Sequence, residues 1–323
     1  MTKTFIAKII AGMSVFACVG AAMAQTSNQN QYPNKPVRVV SPGPGGLDVI
    51  ARKFMAIMEK HLGQRMIMEN KPSGVIPGNT VAMAPPDGYT VLFSGGPQWL
   101  APLTQKDVPY DPVKDFAPVA MIYFQPYMLL VSTQLQVNSV KELIALAKQR
   151  PGQINMGSGS PGSSGSIAGT LFREMADINL TVIPYKSGTD RATALLSGQI
   201  TVDFLGASDY KTFLNSGKVK AIAITSKRPS PQFPGIPAVA DNVPDFEYGS
   251  TALMFAPAKT PAAIINRLNQ DVNKTLKEPE TIKMLTEFGA DPTGGSSQVA
   301  ADFVKWDMAR MDKLLKSVGV TPQ

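Results

Sequence analysis

Hydrophobic and polar positions along the chain switch repeatedly between two periods. Val37, Val39 and Val40 form a β-branched run that ends in Ser41-Pro42-Gly43-Pro44-Gly45-Gly46. Val49, Ile50, Phe54, Ile57, Met58 and Leu62 then recur at helical spacing, so the pattern predicts strand, tight loop and helix. Further strands are predicted at 65–70, 89–93, 118–123 and 127–131, with a short helix near 79–84. A second set opens at Ser139, a helix cap with Glu142 three residues on, and Val140, Leu143, Ile144 and Ala147 on one face. Strands at 154–157, 180–185, 200–205 and 220–225 alternate with helices at 166–175, 189–196 and 209–214. An isolated apolar run at 251–256 precedes three closing helices, 261–276, 280–288 and 296–317. Such alternation predicts an α/β fold with a mainly parallel sheet covered by helices. A late strand followed by helices suggests that the chain crosses between two units twice, at 129–132 and 250–254.

Length agrees with two units, since 323 residues exceed the roughly 100–200 of one domain. The amino end reads as a leader rather than as fold. Lys3 and Lys8 form a positive region, residues 9–19 are apolar, and Ala22-Met23-Ala24 places small residues where signal peptidase reads. Cleavage is expected after Ala24, giving a leader at 1–24 and a polar linker at 25–32. The apolar run is shorter than the roughly 20 residues of a membrane span. Cys18 is the only cysteine, so the mature chain would have no disulfide. Phe16 fits poorly in a lipid-attachment box around Cys18. The formal charge of +7 falls to +5 without the leader, and its scattered basic residues do not resemble a nucleic-acid surface.

Absences narrow the chemistry. His61 is the only histidine, placed near the end of the first helix where a cation is favoured, so it reads as a solvated or capping residue. With one remote imidazole and no thiol, catalytic triads and His/Cys metal sites find no support. Gly157-Ser158-Gly159-Ser160-Pro161-Gly162 fits a dinucleotide fingerprint, but no acid follows at the next strand end and the proline spoils the turn. Ser208 to Lys211 fits S-x-x-K without its companion elements. No cofactor and no metal are expected.

Two loops remain. The first, around Pro44, Gly45, Gly46, Leu47 and Asp48, offers backbone N–H groups and a helix N-terminus to an anion, although a βα loop can also bind nothing. The second repeats the design with hydroxyls at Ser158, Ser160, Ser163, Ser164 and Ser166, suited to carboxylate oxygens. Lys186 and Arg191 nearby either pair with the anion or stand as solvated surface. Asp48 and Asp190 read first as helix caps.

The stretches Tyr32-Pro33-Asn34-Lys35-Pro36-Val37-Arg38, Pro86-Asp87-Gly88-Tyr89-Thr90 and Pro109-Tyr110-Asp111-Pro112-Val113-Lys114-Asp115-Phe116 resemble the Bug-type substrate-binding proteins of tripartite tricarboxylate transporters. Asn138-Ser139-Val140-Lys141-Glu142-Leu143, Pro184-Tyr185-Lys186 and Ala223-Ile224-Thr225-Ser226 continue the match in order. The resemblance implies a type II periplasmic-binding-protein fold, two βα lobes joined by crossover strands with a ligand cleft between them. Lobe 1 is expected at 33–130 plus 252–323 and lobe 2 at 131–251. It further implies a monomeric periplasmic protein that captures a small carboxylate and hands it to a permease of one large and one small membrane subunit. A sensory protein signalling through a membrane partner, or a secreted enzyme on a related scaffold, are the alternatives. By this resemblance the ligand lies between the first loop, the loop with Ser94, Gly95 and Pro97, and the second-lobe Gly/Ser loop.

This chain departs from the family pattern in places. Its first loop is one residue short, with Gly43 for a bulkier residue and Leu47 for threonine. Ser164 and Ser166 stand where threonine and histidine are common, Leu205 replaces an acid, and Trp99 fills a small position. Trp99 is expected either to wall a roomier pocket suited to an aromatic or large carboxylate, or to pack in the core.

Overall fold

The computed structural model describes residues 32–43, 46–72, 74–159, 164–185, 188–206, 216–317 and 322. The leader, most of the linker and the helix expected at 209–214 lie outside the described residues.

Strand β1 (Val37–Pro42) leads into helix α1 (Gly46–Leu62), which buries Ile50, Phe54, Met58 and Leu62. There follow β2 (Met66–Lys71), α2 (Ile76–Ala82), β3 (Thr90–Gly95) and two one-turn helices, α3 (Gly96–Trp99) and α4 (Ala101–Thr104). After β4 (Phe116–Ser132), α5 (Val140–Gln149) starts as expected. Ser139 Oγ accepts the Glu142 N–H at 3.2 Å, and Glu142 Oε2 accepts the Asn138 N–H at 2.7 Å. The second set continues with β5 (Asn155–Ser158), α6 (Ser164–Ala176), β6 (Thr181–Pro184), α7 (Gly188–Ser197), β7 (Val202–Gly206) and β8 (Val219–Ile224). Finally come β9 (Gly249–Pro257), α8 (Ala262–Thr275), α9 (Pro279–Glu287), β10 (Asp291–Gly294) and α10 (Ser297–Ser317).

The strands order as β2-β1-β3-β9-β4-β7-β5-β6, with β8 and β10 also pairing β4. The wings β2-β1-β3 and β6-β5-β7 are parallel, as expected. The middle is not: β9 runs antiparallel to β3 and β4, and β4 is antiparallel to β7, β8 and β10. The expectation of a mainly parallel sheet thus holds only for the wings, because strands that return between two units must run against their neighbours.

Strand β4 corrects a second expectation. Its 17 residues form one strand, not two. Phe116–Pro126 pairs with β9, whereas Tyr127–Val131 pairs with β7. A proline has no N–H for a ladder, and Pro126 falls where β4 changes partner. Tyr127, the next residue, donates its N–H to Thr225 Oγ1 at 2.6 Å. The partner exchange at Pro126–Tyr127 and the start of β9 at Gly249 each precede the crossings expected at 129–132 and 250–254.

Alternate side chains of the first wing serve two cores. Val37, Val39, Val91 and Phe93 pack with α1, α8 and α9, while Val40, Leu92, Leu253 and Phe255 pack with Trp99, Ala300 and Val304. In the second wing Leu129, Met156, Val202 and Phe204 meet α5 and α6 on one face. Helix α10 belongs to both units, since Ala300 and Val304 enter the first set of cores and Met311, Leu314 and Leu315 the second. Among the described residues no helix is long and apolar enough to cross a membrane.

Candidate functional site

The three expected loops leave the carboxyl ends of β1, β3 and β5. In open α/β sheets that end is where ligands gather, because helix N-termini and free backbone N–H groups converge there.

At the first loop Ser41 is fully buried, and its hydroxyl has no hydrogen-bond partner among the described residues. Pro44 and Gly45 lie outside the described residues. Gly46 is exposed at the start of α1, and Leu47 packs part-buried against the first core. Asp48 is buried, but not as a simple cap. Its Oδ1 accepts from Asn70 Nδ2 at 2.7 Å and its Oδ2 from Arg52 Nε at 3.1 Å. Burial alone would push this carboxyl up. The bonds from Asn70 and Arg52, with the Arg52 charge, outweigh burial and hold it below the ordinary aspartate range. Asp48 therefore stays ionised and binds the first loop to β2.

At the second position Ser94 and Gly95 are the last residues of β3 and pair with Leu253 and Ala252 of β9. They are strand residues, not loop residues, because β9 arrives from late in the chain to extend the ladder over them. The turn itself is α3. Within it Gln98 is buried with both amide atoms of its side chain lacking partners among the described residues, a residue sequence reasoning missed. The available signal was a lone amide inside an otherwise small and apolar segment. Trp99 is 1% exposed and packs its ring against Phe255 and Phe303, at 6.1 Å from each centroid. Its indole N–H donates to Asp307 Oδ2. Of the two expected places for Trp99, the ring occupies the core.

In the Gly/Ser loop, Ser158 ends β5, buried, and donates to the Gly159 carbonyl at 3.1 Å. Ser163 and Lys186 lie outside the described residues. Helix α6 begins at Ser164, two residues before the pattern places it, and Ser166 is part-buried in its first turn. Ser164 is hydrogen-bonded to the Tyr248 side chain; burial and the adjacent Tyr127 raise the pKa of that phenol despite this bond. A cavity of about 190 Å³ brings two of the three loops together. Gly96, Pro97 and Trp99 line it together with Ser164, Tyr248 and Thr251.

Beside the first turn of α6 sits an ion pair. Arg191, on α7, is mostly buried rather than solvated, and its Nε lies 3.2 Å from Oδ2 of the fully buried Asp203 on β7. Burial pushes the Asp203 carboxyl up to about 6, against the pull of the Arg191 charge and the Phe204 N–H. His61 lies elsewhere, in the last turn of α1, with Nε2 3.0 Å from Glu278 Oε1. Among the described residues no three His, Cys, Asp or Glu side chains cluster as a metal site would require. The arrangement can therefore present hydroxyls and helix-terminal N–H groups to an anion, while the guanidinium faces Asp203 and the Phe204 carbonyl.

Residues 50–320 match the family described as tripartite tricarboxylate transporter family receptor. A UPF0065 protein of Bordetella bronchiseptica is 30% identical over 319 residues, covering 97% of this chain and 93% of that protein. Among solved structures, R. palustris Rpa4515 with adipate is 32% identical with a TM-score of 0.70, over 91% of this chain and 100% of that one. A TctC solute-binding protein from Polaromonas, without ligand, has a TM-score of 0.80 at 25% identity, over 89% of this chain and 100% of that one.

Proposed function

From the premise that this chain belongs to the tripartite tricarboxylate transporter receptor family, whose members are periplasmic solute-binding proteins, we propose that it captures a small aliphatic dicarboxylate between two lobes and delivers it to a two-subunit membrane permease. The single observation that supports this most directly is the cavity where Ser164, at the N-terminus of α6, faces Gly96 and Pro97 of α3. The Ser164 hydroxyl and the N–H groups that open α6 can take a carboxylate, and charge-assisted bonds of this kind are about twice as strong as neutral ones. The relative solved with adipate, 32% identical, supports a dicarboxylate. The Trp99 ring packs beside Phe255 and Phe303 and its N–H bonds Asp307, which favours an aliphatic over an aromatic ligand.

In this reading residues 1–24 are removed on export, the lobes comprise 33–130 plus 252–323 and 131–251, and the monomer releases its ligand unchanged. The ligand-binding set is Pro44, Gly45, Gly46, Leu47 and Asp48 with Ser94 and Gly95 on one lobe, and Ser158, Ser163, Ser164, Ser166 and Lys186 on the other. Trp99 supports the second loop from beneath.

The test is titration calorimetry of the chain from Gln25 onward against adipate, malate, succinate and benzoate. One site per monomer for at least one aliphatic diacid is expected, with no chemical change in the ligand by NMR. Tight benzoate binding with no diacid binding would overturn the ligand class. Turnover of the ligand would overturn the transport role.

A further inference from the structure

Two glycines flank the Gly/Ser loop, and both rest on the same ion pair. A Cβ on Gly165, in the first turn of α6, would stand 2.7 Å from Arg191 Nη1 and 3.1 Å from the Phe204 carbonyl oxygen. A Cβ on Gly157, at the end of β5, would stand 3.0 Å from Asp203 Oδ2. The guanidinium is thus pressed against the helix start, and the carboxylate against the strand end. Arg191 Nη2 also reaches the Phe204 carbonyl at 3.4 Å, while the Phe204 N–H donates to Asp203 Oδ1 at 2.7 Å. Arginine and aspartate are therefore fixed to one backbone unit of β7 as well as to each other.

A buried ion pair seldom stabilises a fold more than apolar residues of the same volume would. Its position is more informative. The positive member lies against the helix N-terminus, where the backbone already presents positive potential, and the negative member lies against the end of β5. We infer that Arg191 is a positioning residue that strengthens anion binding at the α6 N-terminus, and that Asp203 is its counterweight, limiting how tightly a carboxylate is held. A receptor that must release its ligand to a permease gains from such a limit, because a fully uncompensated cation would slow dissociation. This inference rests on the carboxylate-binding reading above.

The experiment compares adipate, malate and succinate binding to the wild-type chain, Arg191→Gln, Arg191→Lys, Asp203→Asn and the double variant Arg191→Met with Asp203→Met. A purely structural pair makes both single changes weaken binding alike. An electrostatic role makes them differ in sign: Arg191→Gln weakens the bound diacid about tenfold or more, and Asp203→Asn tightens it severalfold. Arg191→Lys, which keeps the charge, recovers most of the affinity lost in Arg191→Gln. The double variant guards against misfolding, since it leaves no unpaired buried charge, and it binds more weakly than wild type while melting cooperatively. Equal weakening by Arg191→Gln and Asp203→Asn, or wild-type affinity in the double variant, overturns the inference while the carboxylate reading stands. A wild-type chain that binds none of the three diacids overturns both.

Discussion

Trp99 donates its indole N–H to Asp307 Oδ2 at 2.8 Å, across 208 residues of sequence, and so ties the turn after β3 to the middle of α10. Asp307 is mostly buried and also accepts from Arg310 Nη2 at 2.7 Å. Arg310 in turn donates to the Glu247 carbonyl, just ahead of β9. The Asp307 carboxylate thus joins the turn after β3 to α10, and Arg310 links that helix on to the segment ahead of β9.

Trp99→Phe keeps an aromatic ring in the core but leaves that carboxylate one donor short. A buried polar group deprived of a partner costs about 1–3 kcal/mol. Urea unfolding of the variant should show a lower midpoint with an unchanged slope. A wild-type midpoint would mean that Asp307 is satisfied without the indole.

The two tryptophans should be separable by fluorescence, because Trp99 is 1% exposed and Trp306 is 42% exposed with the Arg310 guanidinium 4.2 Å above its ring. Trp306→Phe should leave a blue-shifted emission that iodide hardly quenches. Trp99→Phe should leave a red-shifted, readily quenched one. The opposite pattern would remove Trp99 from the core and restore it as a candidate ligand wall.

Asp203 makes stability depend on pH in the direction opposite to ordinary acid denaturation. Its carboxyl is pushed up from 3.8 to about 6 by burial, with Arg191 opposing, so between those values the folded state binds more proton than the unfolded one. Its contribution is fully present below the unfolded value and is lost as pH rises through about 6. The stability of wild type minus that of Asp203→Asn, measured by urea unfolding, should therefore decline from pH 4 to pH 7. A flat difference would place the Asp203 titration outside that window.

Ser164 offers a direct test of the cavity. Its hydroxyl sits at the helix start and bonds Tyr248. A hydrogen bond to a charged group contributes roughly 1.5–3 kcal/mol, so Ser164→Ala should weaken a bound diacid by at least tenfold in calorimetry. Unchanged affinity would move the ligand away from the α6 N-terminus.

Periodicity located most elements because each has one apolar face of its own, as in α1, α5 and the closing helices 262–275, 279–287 and 297–317. What it could not locate depended on distant partners. Gln125-Pro126 reads as a break, yet β4 runs through it because β9 gives way to β7 and β8 at that point. Ser94 and Gly95 read as loop until β9 pairs with them. Asp291-Pro292-Thr293-Gly294 carries turn residues, yet it forms β10 against β4. The glycine- and serine-rich segments of the proposed site stand out in the sequence because each follows a strand and opens a helix. The Arg191–Asp203 pair does not, although Asp203 inside the apolar run Val202-Asp203-Phe204-Leu205 was a usable signal.

The late arrival of β9 has a consequence for how the nascent chain must be handled. Synthesis proceeds from the amino end, and domains fold as their residues emerge. All of β3 is buried in the finished protein, and one of its edges is covered only by β9. Until Gly249–Pro257 is available, that edge has no strand to pair with, and an unpaired apolar edge is the template for edge-to-edge aggregation. The first wing therefore remains an incomplete and adhesive sheet while the entire second wing is made. Chains truncated before residue 249 should accumulate in aggregates or on chaperones, whereas chains extended through α10 should not.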